Sequence, residues 1–307
     1  MSSKKSQVSK RTDSSVKTLA SLSLVAVAAG YVIMSVATRL LSHGFQPLTQ
    51  VYLRLFLGLI IASLVFQKNI RPKALLSIPA KDYLPLLLMG VVGYALMVYF
   101  ITLGALTTTL LSVSVVMATT PFFSFLYSYL VFKKPIKPVL LALSGLTLLG
   151  VTFIGAKSFV PALSNFGRGE VYVLIASACL AWFFVGRKML SSHLNNSEIT
   201  TVVMGIAAVS AFGLSLASGE RLNLASFGNL SVLLGLVIGA SFNVLATQFE
   251  NFAFQHIEAG VGSQMLLLEN VFAPIFGFFL YKEILTTPEI VGALLIVGSV
   301  FLANKYS

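Results

Sequence analysis

Long apolar segments follow one another along this chain, separated by short polar stretches. A bilayer's hydrocarbon core, roughly 30 Å thick, needs about 20 helical residues per crossing. The segments are long enough for this, and they are continuous rather than alternating, which predicts helices and not barrel strands. We predict ten crossings, at residues 18–41, 48–66, 83–104, 108–132, 139–155, 170–190, 200–218, 230–252, 258–280 and 288–304.

The chain also contains an internal duplication. Residues 39–134 align with residues 188–283 without a gap, at an offset of 149. The anchoring pairs are Arg39 with Lys188, Leu41 with Leu190, Leu84 with Leu233, Gly90 with Gly239, Phe100 with Phe249, Phe123 with Phe272 and Lys133 with Lys282. Each half holds five crossings, an odd number, so the halves must cross the membrane in opposite directions.

The predicted fold class is therefore an all-α integral membrane protein, with ten transmembrane helices arranged as two inverted five-helix repeats. We expect a disordered cytoplasmic tail over residues 1–17, a first repeat over 18–155, a loop over 156–169 and a second repeat over 170–304. Inverted repeats of this kind are typical of carriers rather than of enzymes.

Composition and charge agree with a place in lipid. The chain is 57% hydrophobic and 10% charged, with a mean hydropathy of +0.91. If the N-terminus is cytoplasmic, 15 Lys and Arg residues lie inside and 4 outside, which predicts that both termini are cytoplasmic. The formal charge of +11 then orients the protein in the plasma membrane, and we predict no nucleic-acid partner. The outside cations are Lys157, Arg168, Arg221 and Lys282.

Motifs for soluble chemistry are missing from the sequence. It has no GxxxxGK phosphate loop, no Cys/His metal spacing and no GxSxG elbow, and its single cysteine, Cys179, excludes an intramolecular disulfide. We therefore predict that the chain is not an enzyme and that it holds no metal and no cofactor.

The ninth and fourth predicted helices carry polar residues and helix breakers at matching positions. An ionisable group at mid-membrane costs about 2.5–3.5 kcal/mol on insertion scales, so Glu269 is expected to face a cavity or the bundle interior. Asn270 and Pro274 follow it, and Thr120 and Pro121 occupy the corresponding place in the first repeat. Matched discontinuities near the midplane predict a transport site there.

Glu269 has two interpretations. Burial favours a neutral carboxyl, so a change in hydration during the transport cycle could load and release a proton, which would couple transport to protons. Alternatively, Glu269 is a hydrogen-bonding strut that steadies the ninth helix beside Asn270.

The eighth helix carries a polar stripe, in which Asn243, Thr247, Glu250 and Asn251 share one face. Asn243 is the duplication partner of Tyr94 and is the more central, which favours cavity lining over a simple interhelical hydrogen bond. Glu250 lies nearer the cytoplasmic end. Two roles stay open for it, a coupling or gating carboxylate and a terminal group that reaches water.

Aromatic residues near mid-depth are further candidates, because ligand sites are commonly apolar and aromatic with a few placed polar groups. Tyr31, Tyr94 and Trp182 are the cavity candidates, with packing as the alternative for Trp182. Arg54 lies about two turns inside the second helix. Its alternatives are a gate or clamp for a substrate carboxylate, a side chain that snorkels to the surface, and a structural hydrogen bond.

Several stretches resemble those of EamA-type members of the drug/metabolite transporter superfamily. They are GYVIMSVATRLL, VYLRLFLGLIIA, ATTPFFSFLYSYLVFKK, LLENVFAPIFGFFLYKE and EIVGALLIVGSVFLA. The chain departs from the family pattern in the ninth helix, where it has Glu269-Asn270 in place of the usual Glu-Pro, and at Lys134, where Glu is usual. The resemblance implies a central cavity lined mainly by the first, third, fourth, sixth, eighth and ninth helices, and export or exchange of small metabolites by alternating access.

The function predicted from all of this is a plasma-membrane secondary active transporter for a small metabolite, with amino-acid export as the leading hypothesis. Within transport, the alternative is an importer or exchanger of nucleotide-like or sugar-like metabolites. From another class, the alternative is a non-transporting membrane sensor or a channel. The expected partners are a small-molecule substrate and the lipid bilayer, and the sequence specifies no oligomeric state.

Overall fold

The computed structural model describes residues 2–108, 110–156, 167–281 and 284–306. Side chains are described for these residues except at positions 2–14, 35, 39, 105, 110, 111, 277, 280 and 281. Arg39, Lys157 and Lys282 therefore fall wholly or partly outside the described residues, as does most of the predicted loop between the repeats.

Ten helices in the described residues are long and apolar enough to cross a membrane, which confirms the predicted fold class. They are α1 Ser2–Ser42, α2 Pro47–Val65, α3 in the consecutive pieces Ala80–Leu87, Leu88–Leu96 and Met97–Thr107, α4 in the pieces Leu110–Met117 and Thr120–Phe132, α5 Pro138–Ala156, α6 Arg168–Met189, α7 Asn196–Ala217, α8 Leu230–His256, α9 in the pieces Ala259–Leu266 and Glu269–Tyr281, and α10 Thr287–Tyr306. A short helix, Pro72–Leu76, and a 3₁₀ turn, Leu224–Gly228, lie in the connections.

The backbone of α1 is helical from Ser2, where the sequence predicts a disordered tail over residues 1–17. Formation of the first turn is the unfavourable step of helix formation. A polar segment that continues an existing transmembrane helix avoids that step, so it can extend the helix. The disorder of this tail in solution stays a prediction.

Packing between the helices repeats under exchange of the two halves. Helix α1 packs on α8 and α9, and its counterpart α6 packs on α3 and α4. Three helices pack on their own counterparts: α2 on α7, α4 on α9 and α5 on α10. This is the arrangement expected when two repeats are related by a pseudo-two-fold axis in the membrane plane.

The connections lie at two ends of the bundle. We call them the α1–α2 end and the α6–α7 end, after the helix connection that each contains. At the first, the Glu220 carboxylate accepts hydrogen bonds from the backbone N–H groups of Leu48 and Thr49, at 3.0 and 2.6 Å. At the second, the Arg71 guanidinium pairs with Glu198 in the first turn of α7 at 2.7 Å, which raises the pKa of Arg71. Arg71 and Glu220 are 149 positions apart, so they occupy equivalent places in the two repeats. The contact at one end is made by a cation and the contact at the other end by a carboxylate.

Helices α5 and α10 form a tight pair through small residues. A Cβ atom at Gly150 would lie 2.7 Å from the Gly292 carbonyl oxygen, and a Cβ at Gly292 would lie 2.5 Å from that of Gly150. Such contact lets two backbones approach closely, which is a main source of helix association in lipid. Large apolar side chains cover much of the outside of the bundle, among them Leu64, Phe279, Leu294 and Phe301. These surfaces suit contact with lipid tails.

Candidate functional site

A cavity of about 520 Å³ runs into the bundle from the α1–α2 end, between α1, α2, α3, α6 and α8. Ser42, Pro47 and Leu106 lie at its mouth, since they are at or near the ends of α1, α2 and α3. We call it the central cavity. Most of its wall area is apolar, and the polar side chains that line it are those of Tyr31, Thr38, Ser42, Gln50, Arg54, Tyr94, Thr102, Asn243, Thr247 and Glu250. Its size and composition are those of a site for a small organic ligand.

Tyr94 and Asn243 meet on the wall of this cavity. The Tyr94 hydroxyl donates a hydrogen bond to the Asn243 Oδ1 atom at 3.3 Å. The two residues are 149 positions apart and so occupy equivalent places in the two repeats. Two equivalent residues can touch only where the pseudo-two-fold axis passes between them, so the axis runs through the cavity wall at this pair.

A π-helical stretch, Leu88–Leu96, sets the position of Tyr94. The sequence predicts an ordinary helix over residues 83–104, and the wider turn was not foreseen. Within it, Gly93 packs on α6 so closely that a Cβ atom would lie 2.8 Å from the backbone nitrogen of Phe183. The feature of the sequence that marks this stretch is the pair of glycines in GVVGYAL. A π-helical turn is itself informative, because such turns within helices are frequent at functional sites.

Tyr31 and Glu250 lie next to each other on the wall of the central cavity. The Tyr31 hydroxyl donates a short hydrogen bond to the Glu250 Oε1 atom. Glu250 is only 4% exposed, so it is a buried carboxyl and not a terminal group that reaches water. The Glu269 carboxyl on α9 interacts electrostatically with both Tyr31 and Glu250, although it does not line the cavity. Two neighbouring carboxyls away from water cannot both ionise at low cost.

Arg54 lies on the cavity wall nearer its mouth. Its side-chain Nη1 atom donates to the Thr38 Oγ1 atom at 3.0 Å and to the Met34 Sδ atom at 3.3 Å. The Nε atom is buried without a partner, and Arg54 forms no ion pair with any described residue. The residue is 8% exposed, which does not fit the snorkelling alternative. A buried guanidinium with no anionic partner is costly unless a ligand completes its hydrogen bonds.

Met34 and Thr38, which accept hydrogen bonds from the Arg54 guanidinium, are not among the site residues predicted from the sequence. Together with Tyr31 they recur on α1 at spacings of three and four residues. That spacing places them on one helix face, so periodicity could have found them.

Thr120 and Trp182, like Glu269, are predicted from the sequence to line the cavity, and the structure places them outside it. The Thr120 hydroxyl bonds the Ser177 hydroxyl at 2.9 Å and the Met117 carbonyl oxygen at 2.6 Å. Trp182 stacks on Tyr127 with ring centroids 4.6 Å apart. Both residues join α4 to α6, because the faces of α6 that carry Ser177 and Trp182 lie against α4.

Two of the three predicted helix breakers, Pro121 and Asn270, lie beside two matched interruptions. Helix α4 breaks before Thr120, with Pro121 in the first turn of its second piece, and α9 breaks before Glu269. The Asn270 Nδ2 atom donates to the Leu267 carbonyl oxygen at 3.2 Å across the second break. Pro274 lies inside the second piece of α9 and does not interrupt it. The two breaks are 149 positions apart.

Neither the largest described pocket nor a metal centre coincides with the predicted site residues. A larger pocket of about 890 Å³ lies at the α6–α7 end, but exposed side chains such as Lys17 and Lys305 line it and none of the predicted site residues does. Among the described residues, no group of three His, Cys, Asp or Glu side chains is placed to bind a metal ion.

Comparison with known proteins shows the family of this chain. The model of the EamA-like transporter family matches residues 18–156 and again residues 167–305. The chain belongs to the EamA-like transporter family. The double match coincides with the two inverted halves and confirms the resemblance noted in the sequence. A crystal structure superposes on 95% of this EamA-like transporter and 99% of the other chain, with a TM-score of 0.73 at 14% identity, which supports the fold alone. No curated protein matches the chain.

Proposed function

We propose that this EamA-like transporter is a secondary active transporter that exports an amino acid, or a related compound with a carboxylate and an ammonium group, across the plasma membrane by alternating access. The observation that carries the proposal is Arg54, a buried cation on the cavity wall with an unpartnered Nε atom. A substrate carboxylate has two oxygens that match the donors of a guanidinium and would complete its hydrogen bonds.

Glu250 supplies the complementary charge for the substrate ammonium. Tyr94 lies near enough to both Glu250 and Arg54 to interact electrostatically with each, and all three residues line the cavity. Arg54 and Glu250 form no ion pair with one another. A zwitterionic ligand would bridge the two, with its carboxylate toward the mouth and its ammonium toward the inner part of the cavity.

The rest of the wall suits an apolar side chain. Met97, Val98, Ile101, Leu180 and Phe183 line the cavity between its charged groups. Burying apolar surface against such a wall yields about 25 cal/mol per Å². Amino acids with apolar or aromatic side chains are therefore the preferred substrates in this proposal.

The proposal extends to the orientation of the protein in the membrane and to its coupling to protons. The distribution of cations supports an outside location for the α1–α2 end, which makes the present state outward-facing. Glu250 and Glu269, which lie close enough to interact electrostatically, form the group that would take up a proton, because one shared proton relieves the repulsion of the two carboxyls.

Counterflow in liposomes tests the proposal. Vesicles of reconstituted protein loaded with an unlabelled apolar L-amino acid should accumulate the same labelled amino acid transiently, because a carrier shows trans-stimulation. Equilibration without overshoot would indicate a channel. Counterflow with nucleotides or sugars, and none with amino acids, would overturn the proposed substrate.

A further inference from the structure

A second pocket, of about 610 Å³, lies at the α6–α7 end, opposite the mouth of the central cavity. We call it the α6–α7 pocket. Residues from the end of α6, the α6–α7 connection, the start of α7 and the end of α8 line it. In the present state it is separate from the central cavity, since the two share no lining residue.

The duplication relates this pocket to the central cavity. Four residues around the mouth of the central cavity are Thr38, Ser42, Pro47 and Leu106. Their counterparts, 149 positions later, are Arg187, Ser191, Asn196 and Gln255, and all four line the α6–α7 pocket. In an inverted repeat, exchange of the two halves turns the outward-facing state into the inward-facing one. The α6–α7 pocket therefore occupies the place of the second mouth.

Arg187 holds this second mouth closed. Its Nη2 atom donates to the Asn196 Oδ1 atom at 2.6 Å and to the Gln255 Oε1 atom at 3.0 Å. Its Nε atom donates to the Asn251 carbonyl oxygen at 3.0 Å. These bonds tie α6 to α7 and α8, and Arg187 is only 4% exposed.

The open mouth lacks the corresponding bonds because its residues cannot form them. Pro47 and Leu106 have no polar side-chain atoms, whereas their counterparts Asn196 and Gln255 accept hydrogen bonds from Arg187. Thr38, the counterpart of Arg187, receives a hydrogen bond from Arg54 instead. The two mouths are thus equivalent in backbone position and different in chemistry.

The charge of the α6–α7 pocket indicates which part of a substrate it attracts. Lys134, Arg187 and Lys188 line it, and none of its lining residues is acidic. A concave site lined by one sign of charge raises the local concentration of ligands of opposite sign and speeds their association. The pocket is suited to a carboxylate.

We propose that the α6–α7 pocket is the second entrance of the transport path, that it receives the substrate carboxylate there, and that Arg187 is the latch that keeps it shut in the outward-facing state. The inference rests on the proposed transport function.

Thiol accessibility tests the latch without any substrate. In a Cys179→Ser background, Val203→Cys reports on the closed side, because Val203 is fully buried and is the counterpart of Arg54 on the open wall. Val98→Cys reports on the central cavity. Each is labelled with a membrane-impermeant methanethiosulfonate added to one side of oriented vesicles.

Arg187→Ala should raise the labelling rate of Val203→Cys from the α6–α7 side by about tenfold and lower that of Val98→Cys from the other side, as expected for a shifted two-state equilibrium. Gln255→Leu installs the residue found at the open mouth and should shift both rates in the same directions. This second variant keeps the test valid if Arg187→Ala fails to fold, because Gln255 is exposed and its replacement should be tolerated. Lys133→Ala is the matched control, since it removes an exposed cation at the same end that does not line the pocket.

Reagent charge tests the carboxylate site. A negatively charged methanethiosulfonate should label Ser192→Cys, in the α6–α7 pocket, faster than a positively charged one, and Lys134→Ala with Lys188→Ala should reduce that preference, because only Arg187 then remains of the three lining cations. Equal rates for both reagents would overturn the carboxylate site. Unchanged labelling in folded Arg187→Ala and Gln255→Leu would overturn the latch, even if amino acids are transported. Shifted labelling without amino-acid counterflow would instead leave the latch standing and reject the proposed substrate.

Discussion

Replacing Arg54 by methionine should weaken substrate binding without lowering the stability of this transporter. Methionine retains an unbranched apolar chain that can fill the space of the arginine stem, beside Gly239, where a Cβ would lie 2.7 Å from the Arg54 Cδ atom. The change removes a charge that has one hydrogen bond to Thr38, a contact to the Met34 sulfur and an unpartnered Nε atom.

The effect on stability should be small or favourable. The lost hydrogen bonds to a charged group are worth about 1.5–3 kcal/mol. The desolvation cost of a buried unpaired ion is several kcal/mol and is removed at the same time. We therefore expect Arg54→Met to keep or raise the apparent melting temperature of the ligand-free protein.

Binding should change in the opposite direction. Truncation of one partner of a buried charge pair costs about 2–5 kcal/mol, so the Kd for an apolar L-amino acid should rise by at least about 30-fold. The matched control ligand is the amine that has the same side chain as the amino acid but lacks its carboxylate. The unmodified protein should prefer the amino acid over the amine, and Arg54→Met should bind the two about equally, as in a double-mutant cycle.

The assay is binding of labelled amino acid to purified protein, together with thermal unfolding of each variant. Arg54→Lys keeps the charge but lacks the planar pair of donors, and we expect an intermediate affinity. The reasoning is refuted if Arg54→Met unfolds several degrees lower while it retains the preference for the amino acid. Arg54 would then be a structural residue.

Three other predictions concern topology, coupling and packing. Single cysteines in the 67–81 and 156–168 loops of a cysteine-free background should react with an impermeant reagent from opposite sides, and reaction from the same side would contradict the predicted orientation. Glu269→Gln should abolish accumulation driven by a pH gradient while pH-independent exchange continues, and full gradient-driven transport would leave Glu269 as a strut. Gly292→Ala should destabilise the protein by about 1–3 kcal/mol, because the added methyl meets the backbone of α5, whereas Gly298→Ala, with open space around it, should not lower the apparent melting temperature.

Both the number of crossings and the duplication could be read from the sequence. Crossing a bilayer requires a long apolar segment, and this requirement is local, so each helix is visible without its neighbours. The offset of 149 also related Tyr94 to Asn243, which meet in the structure, and Thr120 to Glu269, which flank equivalent helix breaks. A repeat in the sequence is a repeat in the backbone, so these correspondences follow from the chain itself.

The membership of the cavity was decided only by the tertiary structure. Tyr31, Arg54 and Glu250 line it, whereas Trp182 stacks against α4 and Glu269 lies behind the wall. Periodicity tells which residues share a face of one helix, but the neighbour of that face is set by packing between helices far apart in sequence. The Tyr31 to Glu250 hydrogen bond spans 219 positions, the hydrogen-bond partner of Arg54 comes from another helix, and the π-helical stretch that carries Tyr94 packs on α6 and α7. Such contacts depend on the whole bundle, because only there does each polar side chain find or lack its partner.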